Sequence, residues 1–168
     1  LIQRMQAISP VPLRHVWQED DGFQKCRILN KAIVAAQGEY LIFTDGDCIP
    51  RADFIEQHLR YASQDAYLSG GYFKLPMEIS EGITEDDIRS QRAFNANWLE
   101  QRGLRKSYKN WKLTAHGFWS RLLNRISPAK PTWNGHNASC HKVHALAING
   151  FDERMQYGGE DCEFGDRL

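Results

Sequence analysis

The sequence predicts an α/β fold in which a mixed, mostly parallel sheet is flanked by helices. Two observations support this prediction. Apolar residues switch repeatedly between strand and helix spacing over residues 1–75, and such alternation is typical of strands joined by crossover helices. A wholly apolar run at residues 40–43 directly follows a helical pattern, which indicates a strand buried on both faces of a parallel sheet.

Five elements are predicted in order over residues 1–75. The apolar-rich run at residues 13–17 favours an edge strand, and the run at residues 40–43 favours a central one. Apolar side chains along residues 54–62 indicate a second helix, and residues 67–75 indicate a third strand. The helix between the first two strands is indicated by apolar residues at positions i, i+3, i+4 and i+7, which are Leu29, Ala32, Ile33 and Ala36.

The rest of the chain is predicted to be helices and loops. Because no repeat or linker interrupts the sequence, we expect one domain over residues 1–168. The pattern favours a helix or hairpin at residues 118–126 and a loop at residues 133–137. Further helices are predicted at residues 83–102, 141–148 and 160–168.

Charge and composition narrow the class of protein. Lys plus Arg and Asp plus Glu are both 21, so the chain lacks the basic excess of nucleic-acid-binding domains. No apolar run approaches the roughly 18–20 residues of a membrane-spanning helix. Sparse cysteines without a C-x-x-C pair favour reduced thiols and a cytoplasmic protein, and association with the inner face of a membrane stays open for the full protein. These cysteines are Cys26, Cys48, Cys140 and Cys162.

Two aspartates directly follow the predicted central strand. Asp45 and Asp47 are separated by Gly46, and in an extended segment residues two apart point the same way. Ligands of open α/β sheets bind at the carboxyl ends of the strands, and two close carboxylates repel each other unless a cation lies between them. The pair is therefore a candidate Mn²⁺ or Mg²⁺ site. The alternative is a solvated Asp-Gly turn.

A second cluster joins glycines to acids near the end of the chain. Gly158 and Gly159 precede Glu160 and Asp161 at a predicted helix start. The glycines allow backbone to approach a ligand closely, and a carboxylate held there is suited to act as a general base on a hydroxyl. The alternative is that the acids only complement the helix dipole.

The loop at residues 133–137 combines a tryptophan with amide side chains. Ring stacking and amide hydrogen bonds suit a sugar ligand, so Trp133, Asn134 and Asn137 are candidate sugar-binding residues, together with His136. The alternative is a structural turn with Trp133 in the core.

These motifs together resemble glycosyltransferase family 2, which has the GT-A fold. Residues 30–32, 36–41 and 43–47 resemble its nucleotide-binding half, and residues 150–168 resemble its acceptor-side segment. The second block is most similar to the branch of bacterial chondroitin-type polymerases and β-1,4-galactosyltransferases. The resemblance implies a nucleotide- and metal-binding part at residues 1–75 and an acceptor-side part at residues 76–168.

The resemblance also implies roles for individual residues. Asp45 and Asp47 match the metal-binding D-x-D motif, Asp161 matches the catalytic base, and Glu160 matches a neighbour that helps to hold a sugar. The loop beneath the donor sugar is matched by Trp133, Asn134, His136 and Asn137. Positions expected to contact the nucleotide or donor are Asp21, Arg27, Asn30, Asp45, Gly46, Asp47, Gly158 and Gly159.

The expected activity is transfer of a sugar from a nucleotide-sugar, UDP-linked in the branch resembled, to a glycan hydroxyl with inversion, in polysaccharide or surface-glycan synthesis. The chain starts after the strand, helix and strand with which family members begin, so we expect that β-α-β unit to be missing, and the further histidine ligand of the metal to lie beyond Leu168. One rival is a catalytically idle binding module of the same fold. A phosphate-transferring enzyme is the other rival, but no G-x-x-x-x-G-K-[ST] loop is present.

Overall fold

A three-stranded sheet forms the centre of the described fold. The structure, a computed structural model, describes residues 2–107, 110, 113 and 132–168. The strands lie in the order β1-β3-β2, and both pairings are antiparallel. Tyr40 pairs with His141 at one end of the β1–β3 ladder, and Leu68 pairs with Ser139 across the β2–β3 ladder. The strand bounds are β1, Tyr40–Phe43; β2, Leu68–Ser69; and β3, Ala138–His141.

Short helices make up most of the remaining regular structure in the described part of the chain. Residues 92–94 add one turn of 3-10 helix. The α-helices are α1, Ile2–Ile8; α2, Lys25–Ala35; α3, Phe54–Arg60; α4, Met77–Glu81; α5, Glu85–Arg89; α6, Ala96–Gln101; α7, Lys142–Ala147; and α8, Glu160–Arg167. The described fold therefore contains both helices and strands, as predicted. Among the described residues, no helix is both long and apolar enough to cross a bilayer.

The prediction of a mostly parallel sheet is not confirmed. A crossover through α3 joins β1 to β2, as the sequence pattern indicated. Both strands are antiparallel to β3, so they run in the same direction, but they do not pair with each other. Strand β3 lies between them. It comes from much later in the chain and runs antiparallel to both neighbours.

Several predicted elements differ from those observed. Residues 13–17 form no strand, and the strand predicted at residues 67–75 is reduced to β2. The helix predicted at residues 83–102 is divided into α5, a 3-10 turn and α6, because Gln91 adopts a left-handed conformation with φ of 58°. The helix or hairpin predicted at residues 118–126 lies outside the described residues. Helices α2, α3, α7 and α8 confirm the predictions. Strand β1 confirms the strand predicted at residues 40–43, but its predicted central place is wrong, because β1 lies at the edge of the described sheet and β3 takes the centre.

The main core lies between the sheet and α2, α7 and α8. Its largest fully buried side chains are Trp133, Phe151 and Phe164. The rings of Phe151 and Phe164 are stacked at 3.9 Å between centroids, and Trp133 meets Phe164 edge-on at 4.8 Å. Gly165 allows this approach, because a Cβ there would lie 2.6 Å from the Cβ of Trp133. A second, smaller cluster contains Ile79, Leu99 and Leu113.

Candidate active site

A tight turn at the end of β1 gathers three possible metal ligands. The amide of Cys48 donates to the carbonyl of Asp45 at 3.2 Å, which closes the turn. The side-chain donor atoms of Asp45, Asp47 and Cys48 all lie within 4.8 Å of one another. Burial, followed by the carboxylates of Asp47 and Asp45, raises the pKa of the Cys48 thiol. The close carboxylates of Asp45 and Asp47 place two negative charges on this turn, as at a cation site.

The glycine-acid segment begins helix α8. Gly158 and Gly159 have φ of 95° and 92°, a left-handed conformation that glycine adopts without a Cβ penalty. This bend directs the amide of Gly158 towards the carboxylate of Glu160, with a hydrogen bond of 2.9 Å to Oε2. Glu160 is only 7% exposed. The two glycines thus fix the start of α8 and the orientation of its first carboxylate.

Lys25 connects the start of α2 to the start of α8. Its Nζ lies 3.3 Å from Oε1 of Glu160 and 3.4 Å from Oδ1 of Asp161. Burial alone would lower the pKa of Lys25, but Asp161 and Glu160, with a contribution from Asp45, raise it above its usual value. Burial alone would also raise the pKa of Glu160, whereas its backbone amide and Lys25 lower it. One ammonium group therefore balances two neighbouring carboxylates.

Asp161 is held from two sides. Its Oδ1 faces Lys25, and its Oδ2 accepts a hydrogen bond of 2.9 Å from the amide of Gly135. Gly135 is buried, and a Cβ at that position would lie 2.9 Å from Oδ1 of Asp161. The loop backbone thus packs directly against the carboxylate. This arrangement fixes the direction of Asp161, and a defined position is the first requirement of a general base.

Trp133 is a core residue in this structure. Its side chain is 1% exposed, and its ring is surrounded edge-on by Phe43, Tyr67 and Phe164. Neither face of the indole is open to a sugar, so the structural alternative that the sequence left open for Trp133 is the one observed. The side chain instead anchors the start of the loop in the main core.

The amides of the same loop bind protein groups. Asn134 donates to Oγ of Ser69 at 3.0 Å and to the carbonyl of Gly70 at 3.2 Å. Asn137 donates to the carbonyl of Gly71 at 2.9 Å. These bonds tie the loop to the segment after β2. His136 is partly exposed, and its ring lies 4.9 Å from that of Tyr72, which is itself 69% exposed.

Residues expected near the nucleotide are spread along α2 and the loop before it. Asn30 donates to the carbonyl of Phe151 at 2.9 Å and to Glu153 at 3.0 Å, and its Oδ1 accepts from the amide of Phe151 at 2.8 Å. Its amide group therefore joins α2 to the segment before α8. Arg27 is exposed and donates to Gln24 at 3.2 Å, and Asp21 lies exposed in the preceding loop.

A family model described as glycosyl transferase family 2 matches residues 6–125 of the chain. This chain belongs to glycosyl transferase family 2. The family implies a GT-A fold, a nucleotide-sugar donor and a glycan acceptor. A search of curated proteins finds no match. The candidate site described above therefore lies in a chain of a glycosyltransferase family, and its acids at residues 160–161 lie beyond the segment that matches the family model.

The turn at the end of β1 fits the divalent cation on which members of family 2 often depend. Asp45 and Asp47 offer hard carboxylate oxygens, which suit Mg²⁺ and Mn²⁺. Cys48 adds sulfur within the same 4.8 Å group. Gly46 leaves the turn open, since a Cβ at that position would meet nothing within 4 Å. The donor set therefore suits a divalent cation, with one softer ligand.

Two residues that support the candidate site carry no sequence signal. Lys25 is one charged residue at the start of an amphipathic helix, and nothing in its spacing shows that it meets residues 135 positions away. His58 is buried, with Nδ1 2.7 Å from Oγ of Ser139 and Nε2 3.0 Å from Oδ1 of Asn137. The sequence places it only within the helix predicted at residues 54–62. It supports the loop that contacts Asp161.

Proposed function

We propose that this chain transfers a sugar from a UDP-linked donor to a hydroxyl of a glycan acceptor, with inversion at the anomeric carbon. The observation that carries the proposal is the fixed carboxylate of Asp161, held between Lys25 and the amide of Gly135. The resemblance of residues 150–168 to the chondroitin-polymerase and galactosyltransferase branch supports a role in polysaccharide or surface-glycan synthesis. The unpaired cysteines support a cytoplasmic location.

Asp45 and Asp47 are proposed to bind Mn²⁺ or Mg²⁺. When bound, such an ion neutralises the charge that develops on a diphosphate leaving group. Gly46, Gly158 and Gly159 are proposed to let the donor approach the backbone closely. Asp21, Arg27 and Asn30 are proposed to lie along the nucleotide, where Asn30 acts by holding α2 against the segment before α8.

Asp161 is proposed to be the general base. It takes the proton of the acceptor hydroxyl as that oxygen attacks the anomeric carbon, while the bond from this carbon to the diphosphate breaks on the opposite face. Glu160, oriented by Gly158 and Lys25, is proposed to hold a hydroxyl of one sugar. Asn134, His136 and Asn137 are proposed to shape the sugar pocket through the loop that they form.

Calorimetry with UDP, combined with a transfer assay, separates the metal-binding role of Asp47 from the general-base role of Asp161. We expect UDP to bind in Mn²⁺ and not in EDTA, and Asp47→Ala to abolish this binding. Asp161→Asn should leave UDP binding intact and lower the transfer rate about 10²–10⁴-fold. Asp65→Ala, at an exposed position in another loop, is the control for both. Equal loss of binding in both test variants would contradict this division of labour.

Two further outcomes decide the class. Metal-dependent UDP binding without transfer to any glycan would favour the catalytically idle module, a binding protein of the same fold. Where transfer occurs, NMR of the product should show the anomeric configuration opposite to that of the donor. Retention of the donor configuration would rule out direct displacement assisted by Asp161.

A further inference from the structure

Cys48 lies where a third ligand of the cation would lie. The turn that closes from Cys48 to Asp45 reverses the chain within four residues. It therefore brings the side chains of Asp45, Asp47 and Cys48 to one side, with their donor atoms within 4.8 Å of one another. Sγ of Cys48 is already 3.8 Å from Oδ1 of Asp47.

These separations suit a single ion. Two ligands with bonds of about 2.0–2.3 Å to one zinc-sized ion are at most about 4.5 Å apart. Small rotations of the side chains therefore suffice to bring all three donors onto one ion. Asp47 is exposed and Cys48 is half-buried, so the ion would retain open positions for phosphate oxygens.

We propose that Cys48 binds the cation together with Asp45 and Asp47, and that this site selects thiophilic divalent ions over Mg²⁺. The presence of a cation rests on the proposed function, whereas the sulfur ligand is a property of this chain. On binding, the thiol releases its proton to solvent and the sulfur forms the metal bond as a thiolate. Sulfur ligands favour zinc-like ions, whereas Mg²⁺ demands oxygen ligands and keeps its waters.

Cadmium titration of the reduced 168-residue chain tests this inference, because cadmium–thiolate bonds have an ultraviolet charge-transfer band. We expect the band to appear with one equivalent of Cd²⁺ and to resist excess Mg²⁺. Cys48→Ser should remove it, and Asp47→Asn should weaken Cd²⁺ binding about tenfold or more. Cys162→Ser, at the exposed cysteine on α8, should leave it unchanged. A missing band, or one that survives Cys48→Ser, would overturn the proposal.

A second measurement needs no substitution. In the wild-type chain, one equivalent of Cd²⁺ should slow alkylation of Cys48 by iodoacetamide, followed by mass spectrometry, while alkylation of Cys162 provides the internal reference. Equal rates at Cys48 with and without Cd²⁺ would refute the sulfur ligand. Neither experiment contains nucleotide, so failure of UDP to bind would count against the transferase proposal and leave the result for Cys48 unaffected.

Discussion

At the scale of single residues, Lys25 explains how two adjacent acids stay close together in a half-buried site. Glu160 and Asp161 are neighbours in sequence, and their like charges would repel each other without a cation between them. Lys25 contacts both, from 135 and 136 positions away. Its side chain is 27% exposed, so solvent screens the pairs and their contribution to stability is modest. The larger effect is expected in the direction of the two carboxylates.

Lys25→Met should therefore affect transfer more than folding. We expect the transfer rate to fall about tenfold or more, because displacement of a catalytic group by 1 Å costs on that order or beyond. The KM for the UDP-sugar should change less than kcat. Lys25→Arg should restore part of the rate, and Lys31→Met in the same helix should have no effect. Unchanged kcat in Lys25→Met would show that Asp161 is positioned without the lysine.

His58 makes stability depend on pH. Burial lowers its pKa, and the hydrogen bond to Asn137 offsets only part of this effect. Because the folded-state pKa lies below the unfolded value of about 6.5, the folded chain favours the neutral ring. The contribution of neutral His58 to the free energy of unfolding is therefore complete above about pH 6.5, and it is lost as the pH falls towards and through the folded-state pKa.

Urea unfolding at about pH 7.5 and about pH 5.5 measures this contribution. The free energy of unfolding should be lower at the acidic pH, and His58→Gln should reduce the difference between the two values. His15→Gln, at an exposed position, should leave the difference as in the wild type. An identical pH dependence in His58→Gln would mean that other groups cause it.

At the scale of elements, the loop from Trp133 to Asn137 is the contact surface between the sheet and the carboxylate of Asp161. Its amides bind the segment after β2, and His58 holds Asn137 from α3. The backbone of the same loop reaches Asp161 through Gly135. The five residues of this loop therefore link the sheet to helix α8 through hydrogen bonds.

Gly135→Ala tests whether this contact sets the position of Asp161. The new Cβ would lie 2.9 Å from the carboxylate and must displace it. We expect transfer to fall about 10- to 100-fold while metal-dependent UDP binding persists. Gly71→Ala is the matched control, since a Cβ there meets nothing within 4 Å. Wild-type transfer in Gly135→Ala would show that Asp161 need not stay against the loop.

The predictable elements are those whose apolar pattern stands out locally. Helix α2 has a clear apolar periodicity and strand β1 is a continuous apolar run, and the sequence identifies both. Strand β3 was missed because Ala138, Ser139, Cys140 and His141 show no apolar alternation. Ala138, Ser139 and Cys140 are small and fully buried, and Ser139 is satisfied by Tyr40 and His58. Such a strand is specified by its neighbours, which a single sequence does not reveal.

The candidate site shows the same limit. Asp45, Asp47, Glu160 and Asp161 were recognised from motifs of acids and glycines. Lys25 and the bond from Gly135 to Asp161 depend on contacts between distant segments, so local spacing does not indicate them. Trp133 is ambiguous from sequence for a physical reason, because a large amphipathic ring suits both a core and a sugar platform. Burial decides between these roles, and burial is a property of the fold.

At the scale of the whole molecule, the segment matched by the family model is not a complete core. The match covers residues 6–125, but the central strand β3 and the buried rings of Trp133, Phe151 and Phe164 lie after it. The matched segment itself contributes Cys26, Ile33 and Leu41 to the same cluster. The nucleotide and acceptor sides of the proposed site are therefore built on one shared core.

A chain that ends at residue 131 should consequently not fold on its own. It would lack three large side chains, each of which contributes roughly 1.5–3 kcal/mol when fully buried, and their sum is comparable with the roughly 5–15 kcal/mol that stabilises a whole domain. It would also leave β1 and β2 without the strand that pairs with both. Urea unfolding followed by circular dichroism should show a cooperative transition for residues 1–168 and a gradual one for residues 1–131. A sharp transition in the shorter chain would mean that the first part has a core of its own, and that the acids of α8 dock onto a preformed domain.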